Sequence, residues 1–296
     1  MMTDDLPLWR SMLFVPGNVE RFVNRAHERG ADAIILDLED SVPLAEKPVA
    51  REQLLEAAGQ VSRKGADVVV RINSSLRLAA LDLETSIDTA VNAICVPKVA
   101  SAGQLTWISD AIGELELERQ IPIGHTRLIA LIESTNALTK LESIARSSPR
   151  LTALILGSED FSASAGMEPT ADALLYPNQQ VIFAATSAGI LPLGFVGSIS
   201  HYDDLDAFRE TIRRSRRLGL QGGFCIHPDQ VQIMNEEFSP SEIEVSDAKS
   251  LLAVYERGLQ EGLGTAVFKG RMIDAAVVNR AVRLLAVNKK VAAKNS

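Results

Sequence analysis

Eight short runs of branched and aliphatic residues, separated by longer stretches of helical period, constrain this chain more than anything else in it. They are Met12–Val15, Ala33–Leu38, Asp67–Ile72, Ala93–Pro97, Arg127–Ile132, Ala153–Leu156, Leu191–Val196 and Gly223–Ile226. Most are apolar at nearly every position rather than at alternate ones. Alternation marks a strand with one wet face, whereas continuity marks parallel strands covered on both faces. Helical patterns fill the gaps at Glu20–Glu28, Val49–Gln60, Leu83–Val91, Ala102–Ile112, Ala137–Ala145, Pro177–Ser187 and Asp203–Arg217. Three of them hand over through Gly30, Gly189 and Gly219, as turns that need left-handed backbone prefer. Eight strand–helix units in 296 residues match an α/β fold of the (β/α)8 TIM-barrel class, for which about 250 residues is typical. A doubly wound open sheet is the alternative. It predicts a glycine-rich turn after the first strand, but Val15-Pro16-Gly17-Asn18 contains no G-x-G-x-x-G, and Gly262-Leu263-Gly264 follows a helix.

The barrel is expected over residues 8–238 as the catalytic domain, with a C-terminal helical extension over 239–296. In the extension, Ser241–Glu261 reads as a helix and Val267–Gly270 as a turn or hairpin. Met272–Val287 reads as an amphipathic helix with apolar Ile273, Ala276, Val277, Ala281, Leu284 and Leu285. Asn288–Ser296 is basic and is expected to fray. The extension is too small for an independent domain, so it is expected to pack on its own barrel or reach a neighbour.

The net charge of −8 and a pI near 5.2, with no basic stretch interleaved with aromatics, argue against nucleic acid as a partner. Arg213, Arg214, Arg216 and Arg217 read as a solvated helix face. No apolar run reaches the roughly 18 to 20 residues of a membrane span, and Met1-Met2-Thr3-Asp4-Asp5 lacks the features of a signal peptide. Cys95 and Cys225 sit inside apolar runs and read as core thiols, which suits a reducing cytoplasm.

Two acidic residues follow apolar runs. Glu133 closes Leu128-Ile129-Ala130-Leu131-Ile132, and Asp160 follows Ala153–Leu156 after Gly157-Ser158-Glu159. A carboxylate buried without a partner costs several kcal/mol, so these positions are poor core material and good ligands for a hard cation. In a parallel barrel both face the mouth at the strands' C-terminal ends, where such barrels keep their chemistry. Other strand ends bring Pro16-Gly17, then Asp37, Glu39, Asp40 and Ser41, then Arg71 and Asn73, then Pro97-Lys98 and His227-Pro228. For any single residue a structural ion pair competes with a functional role; the set together argues for a site. Carboxylate ligands suit Mg2+, or Mn2+, whereas zinc would want clustered His or Cys, and the four histidines (His27, His125, His201, His227) are scattered. Two protein carboxylates leave room for an α-hydroxy or α-keto acid to chelate the metal. Arg71 then offers a rigid fork to a carboxylate or a developing enolate. His227 is read as holding its loop. Lys47 and Arg51 are read as ion-pair partners of Asp37 or Glu39.

The segments Arg10–Gly17, Asp37–Val42, Arg71-Ile72-Asn73, Pro97-Lys98, Ile132-Glu133-Ser134, Gly157–Phe161, Cys225–Pro228 and Met272-Ile273-Asp274 occur in this order over nearly the whole chain. Together they resemble the citrate lyase β-subunit-like proteins of the aldolase/citrate lyase superfamily. The resemblance implies a (β/α)8 barrel, a Mg2+ ion held by Glu133 and Asp160, and reversible carbon–carbon cleavage of a 3-hydroxyacyl thioester, often of coenzyme A. It implies substrate and enolate binding by Arg71, with Asp37, Glu39, Gly157, Ser158 and Glu159 as further substrate-binding positions. It also implies that Asp274, as an acid/base aspartate, completes the site of an adjacent subunit in a homotrimer or homohexamer. The chain departs from the family's pattern at Ala275-Ala276, where a proline is usual, at Leu193–Gly197, which lacks an Asp-Gly pair, and at Ser74–Arg77.

The expected function is thus a Mg2+-dependent lyase cleaving or forming a citryl-, malyl- or citramalyl-CoA-type thioester. The products would be an acyl thioester and a 2-oxo acid such as oxaloacetate, pyruvate or glyoxylate. A class II aldolase acting on free hydroxy-keto acids is one alternative. Glu39-Asp40-Ser41 argues against it, because a histidine is usual there in that branch. A partner-dependent citrate lyase β-type subunit or acyl-binding scaffold is the other.

Overall fold

A computed structural model of the protein describes residues 6–199 and 203–294; His201 and Met1–Asp5 lie outside them. The chain divides into two compact units, one spanning Trp9–Phe238 and the other joining the segment that ends at Leu8 to Ser239–Ser296.

The first unit holds eight strands: β1 (Ser11–Pro16), β2 (Ala33–Asp37), β3 (Asp67–Arg71), β4 (Ala93–Val96), β5 (Arg127–Ile132), β6 (Leu151–Leu156), β7 (Leu191–Leu193) and β8 (Gly223–Cys225). They pair in parallel in the order β7-β6-β5-β4-β3-β2-β1-β8. Two backbone hydrogen bonds join the ends of that row: Gly194 N–H donates to Gly222 O at 2.8 Å, and Gln221 N–H to Pro192 O at 3.0 Å. The sheet therefore curls into a barrel rather than an open doubly wound sheet. Where β8 begins, a Cβ on Gly222 would stand 1.8 Å from the Trp9 carbonyl oxygen, so only glycine lets the two backbones approach.

Between the strands run α1 (Glu20–Ala26), α2 (Lys47–Glu52), α3 (Leu54–Val61), α4 (Leu76–Ser86), α5 (Ala102–Glu118), α6 (Thr135–Leu138), α7 (Leu141–Ala145), α8 (Ser158–Ala165), α9 (Ala171–Ala188), α10 (Leu205–Leu218) and α11 (Pro228–Glu237). The period-two pleat sorts each strand's residues into two layers. Ile34, Leu36, Val68, Val70, Leu128 and Ala130 join the core shared with the helices. Ala33, Ile35, Val69, Ile129 and Leu131 are equally buried but face the barrel interior. Continuing the inward set by one step reaches Asp37, Arg71 and Glu133, so the pleat itself delivers those side chains to the mouth.

Several boundaries differ from the sequence expectation. The helix expected at Leu83–Val91 is α4 and begins at Leu76. The Val49–Gln60 helix breaks into α2 and α3. The helix expected to open at Pro177 begins at Ala171, capped by Thr170 Oγ1, which accepts from Ala173 N–H at 3.3 Å. Leu174, Asn178, Val181, Ile182 and Ala185 are buried along α9, and this packing carries the helix through the proline. β7 stops at Leu193 because Gly194 turns to φ +125°. Arg213 is exposed, as expected of a solvated helix face, and pairs there with Glu237 of α11 at 2.9 Å, while Arg209 joins Glu237 and Glu236.

The second unit contains α12 (Glu242–Gln260), the hairpin β9 (Ala266–Phe268) and β10 (Arg271–Ile273), and α13 (Ala275–Lys294). Ser241 and Glu244 form a reciprocal capping box at the start of α12. The hairpin turns through Lys269 and Gly270, both at positive φ, as two-residue hairpin loops require. α13 continues helical from Asn288 to Lys294, through the described part of the stretch expected to fray, and Lys290 Nζ donates to Leu6 O at 2.7 Å. Among the described residues no helix is long and apolar enough to cross a membrane.

Candidate active site

A cavity of about 340 Å³ opens at the C-terminal ends of the strands. Asp37, Arg71, Glu133, Gly157, Ser158, Glu159 and Asp160 all line it. Asp160 corrects the sequence reading in one respect: it stands in the first turn of α8, not at a strand tip. Two acidic residues in a first turn interact favourably with the helix dipole.

Arg71 is the hub. Its Nε and Nη2 donate to the two oxygens of fully buried Asp37 at 2.7 and 2.6 Å, a bidentate fork, and Nη1 stands 3.3 Å from Glu39 Oε2. The guanidinium lies over the Phe14 ring, 4.7 Å from its centroid. Asp37 also accepts the backbone N–H groups of Glu39 and Ser41. Burial would push the Asp37 carboxyl up, but Arg71 outweighs it and holds the group below its ordinary range. Glu39 shows the opposite balance. Burial raises it despite Lys98 Nζ, which donates to Oε1 at 2.9 Å, and despite Arg71.

Glu133 is the most perturbed carboxyl of the mouth. It is 6% exposed, and burial pushes it up to about 8. The Lys98 N–H opposes that shift by donating to Oε2 at 2.5 Å, while Asp160 and Glu39 reinforce it. Gly157 lies against it so closely that a Cβ there would meet Glu133 Cγ at 2.6 Å. Glu133 is buried, whereas Asp160 beside it is exposed on α8; two neighbouring carboxyls, one of them desolvated, are a conflict that a hard divalent cation held by both removes. The donor set is oxygen only, and no group of three or more His, Cys, Asp or Glu is gathered for a metal among the described residues. The protein would therefore supply two ligands, and Mg2+ tolerates taking the rest from water and substrate.

Lys98 is named from the sequence as a strand end but is given no role in the site. Its φ of +49° is unusual for a side-chain-bearing residue, and this turn aims its N–H at Glu133 while its side chain reaches Glu39. Only its place after Pro97 at a strand end hinted at it. Two expected pairs do not form. Arg51 donates to Asp82 at 2.6 Å rather than to Asp37 or Glu39, and Lys47 donates to the carbonyls of Leu38 and Glu39. Asn73 points away from the cavity onto Asp82 and Leu38 O. His227 is the N-cap of α11, its Nδ1 accepting from Asp229 N–H. Cys95 and Cys225 are buried free thiols, both pushed up by burial. Asp274 belongs to the second unit, where Oδ1 accepts from Ala276 and Val277 N–H at the start of α13.

Residues 10–228 match the HpcH/HpaI aldolase/citrate lyase family. The chain belongs to that family. It is 33% identical to a citrate lyase subunit beta of Leuconostoc mesenteroides subsp. cremoris over 94% of this chain and 92% of that one. It is 32% identical to an L-malyl-CoA/beta-methylmalyl-CoA lyase of Rhodobacter capsulatus, over 92% of each. Among solved structures, the protein CitE of Mycobacterium tuberculosis in complex with magnesium, acetoacetate and coenzyme A superposes with a TM-score of 0.75 at 26% identity, over 97% of this chain and 99% of that one.

Proposed function

We propose that this family member is a Mg2+-dependent carbon–carbon lyase that cleaves or forms a 3-hydroxyacyl thioester, yielding a 2-oxo acid and an acyl thioester. One observation carries the reading: the buried Glu133 carboxyl and the exposed Asp160 carboxyl beside it line the same cavity as the Arg71 fork. The relatives named for citrate lyase and malyl-CoA lyase, and the neighbour bound to magnesium and coenzyme A, support it.

Glu133 and Asp160 would hold the metal. When bound, Mg2+ supplies a Lewis acid that polarises the oxygen of the 2-oxo acid half. In the cleavage direction the 3-hydroxyl gives its proton to the Asp274 carboxylate of a second copy of the chain, its carbon becomes the carbonyl of the 2-oxo acid, and the bonding pair passes to the thioester as an enolate, to whose carbon the same group returns the proton. Arg71, pre-oriented by Asp37 and Phe14, faces that developing charge. Lys98 fixes Glu133 through its N–H. Asp37, Gly157, Ser158 and Glu159 shape the substrate side, with Ser198 Oγ donating to Glu159 at 2.5 Å, while Glu39, outside the cavity lining, acts through Arg71 and Lys98. Protonation of the enolate carbon falls to Asp274 supplied by a second copy of the chain. Of the twenty residues of α13 only Ala281 is buried, which supports a homo-oligomer, a trimer or hexamer, as the working form. A carrier-dependent citrate lyase β-type subunit is the second reading, favoured by the citrate lyase relative.

The test is direct. Purified protein with Mg2+ is incubated with malyl-, citramalyl- and citryl-CoA, and release of 2-oxo acid is followed as its phenylhydrazone. Chelator-sensitive release from one thioester is expected. No release from any of them, with release restored by an acyl-carrier protein, would favour the second reading.

A further inference from the structure

The cavity is charged on one side only. Asp37, Arg71, Glu133, Glu159 and Asp160 stand on the side of β2, β3, β5 and α8. The side of β1, β7 and β8 carries Phe14, Phe195, Ile199, Phe224 and Ile226. That wall is braced. Phe14 and Phe224 meet edge to face with centroids 5.0 Å apart, and Phe195 meets Phe208 in the same manner at 5.5 Å. Arg71 is the one cation among the described residues that line the cavity. Its nitrogens already face Asp37 and Glu39.

These facts bear on the acid half of the substrate. A 2-oxo acid brings one carboxylate, which the metal and Arg71 can share. A second carboxylate on the same acid would find no cation on the apolar wall, because the other cation of the mouth, Lys98, follows β4 and is engaged by Glu39 at 2.9 Å, and it would lie there at the cost of an unpaired buried charge. An alkyl substituent in that place would instead leave water for an aromatic surface.

We propose that the acid half is a monocarboxylic 2-oxo acid with an alkyl substituent seated on the Phe14–Phe224–Ile226 wall, in preference to glyoxylate, which has no substituent, and to dicarboxylic 2-oxo acids. The inference rests on the metal-chelate reading above and narrows it.

The full-length protein with Mg2+ is titrated calorimetrically with glyoxylate, pyruvate, 2-oxobutyrate, 4-methyl-2-oxopentanoate and 2-oxoglutarate. Affinity is expected to rise roughly fourfold per added methylene through 2-oxobutyrate. 2-Oxoglutarate is expected to bind at least about tenfold more weakly than 2-oxobutyrate. Ile226, 42% exposed at the rim, allows a converse test. Ile226→Arg supplies the missing cation and should shift the ratio towards 2-oxoglutarate by about tenfold. Mg2+-dependent binding that is flat across the series, or that favours the dicarboxylic acid, would overturn this inference and leave the metal-chelate reading standing. Absence of Mg2+-dependent binding for every acid would overturn both. Should the variant fail to fold, the wild-type series decides alone.

Discussion

Glu133→Gln is expected to lower Mg2+-dependent turnover by about a thousandfold, the order of the several kcal/mol that a bound divalent cation contributes to such a transition state. The fold should survive, and the sign of the stability change is informative. Without metal, the Glu133 carboxyl is pushed from its ordinary 4.5 up to about 8, first by burial. Its protonated form therefore contributes stability that is fully present below 4.5 and is lost as pH rises towards about 8. Glutamine cannot ionise. In the presence of chelator, the variant should match the wild type in acid and exceed it in melting temperature above about pH 8. Added Mg2+ should stabilise the wild type and leave the variant unchanged. Thermal unfolding at two pH values, with chelator and with Mg2+, checks all of this. A variant that still melts higher with Mg2+ would mean that the cation binds elsewhere.

Arg71→Met should lose both activity and stability. Its partner Asp37 is fully buried, and removing one member of a buried pair typically costs about 3–5 kcal/mol, because the other charge is left uncompensated. Turnover should fall by a hundredfold or more, on the order seen when one oxyanion-stabilising donor is removed. The double variant Arg71→Met/Asp37→Asn separates the two effects: much of the stability should return, and the activity should not. Acid provides a second check. Asp37 is held below its ordinary value, so the pair's contribution is present above 3.8 and is lost as pH falls through the lowered value. The stability gap between wild type and Arg71→Met should therefore narrow in acid. Chemical denaturation at pH 7 and at about pH 3 measures it.

Which parts of this architecture could be read from the residues follows from burial. All eight strands were legible because parallel strands wetted on neither face write themselves as continuous apolar runs. The mouth residues Asp37, Arg71 and Glu133 were legible for the same reason, as charges interrupting those runs one pleat beyond the core. α8 was not legible. Its sequence, Ser158–Ala165, is made mostly of small and acidic residues with only Phe161 and Ser162 buried, so it carries no helical stripe. Asp160 was consequently read as a strand tip. The start of α9 was misplaced because a proline is favoured in a first turn, whereas here tertiary packing holds the helix on both sides of Pro177. Arg51 was assigned to the acids Asp37 and Glu39 at the end of β2, while α4 brings Asp82 to it from 31 residues away. The part played by Lys98 depends on one backbone angle, which residue type alone does not encode.

The central claim is that Glu133 and Asp160 hold a cation on which a 2-oxo acid docks. Calorimetric titration of chelator-stripped protein with pyruvate, at zero and at saturating Mg2+, tests it most directly when repeated on Asp160→Asn. The account predicts that Mg2+ tightens pyruvate, that pyruvate tightens Mg2+ by the same factor, and that Asp160→Asn abolishes the coupling. Pyruvate binding that is indifferent to Mg2+, or coupling that survives in Asp160→Asn, would contradict it.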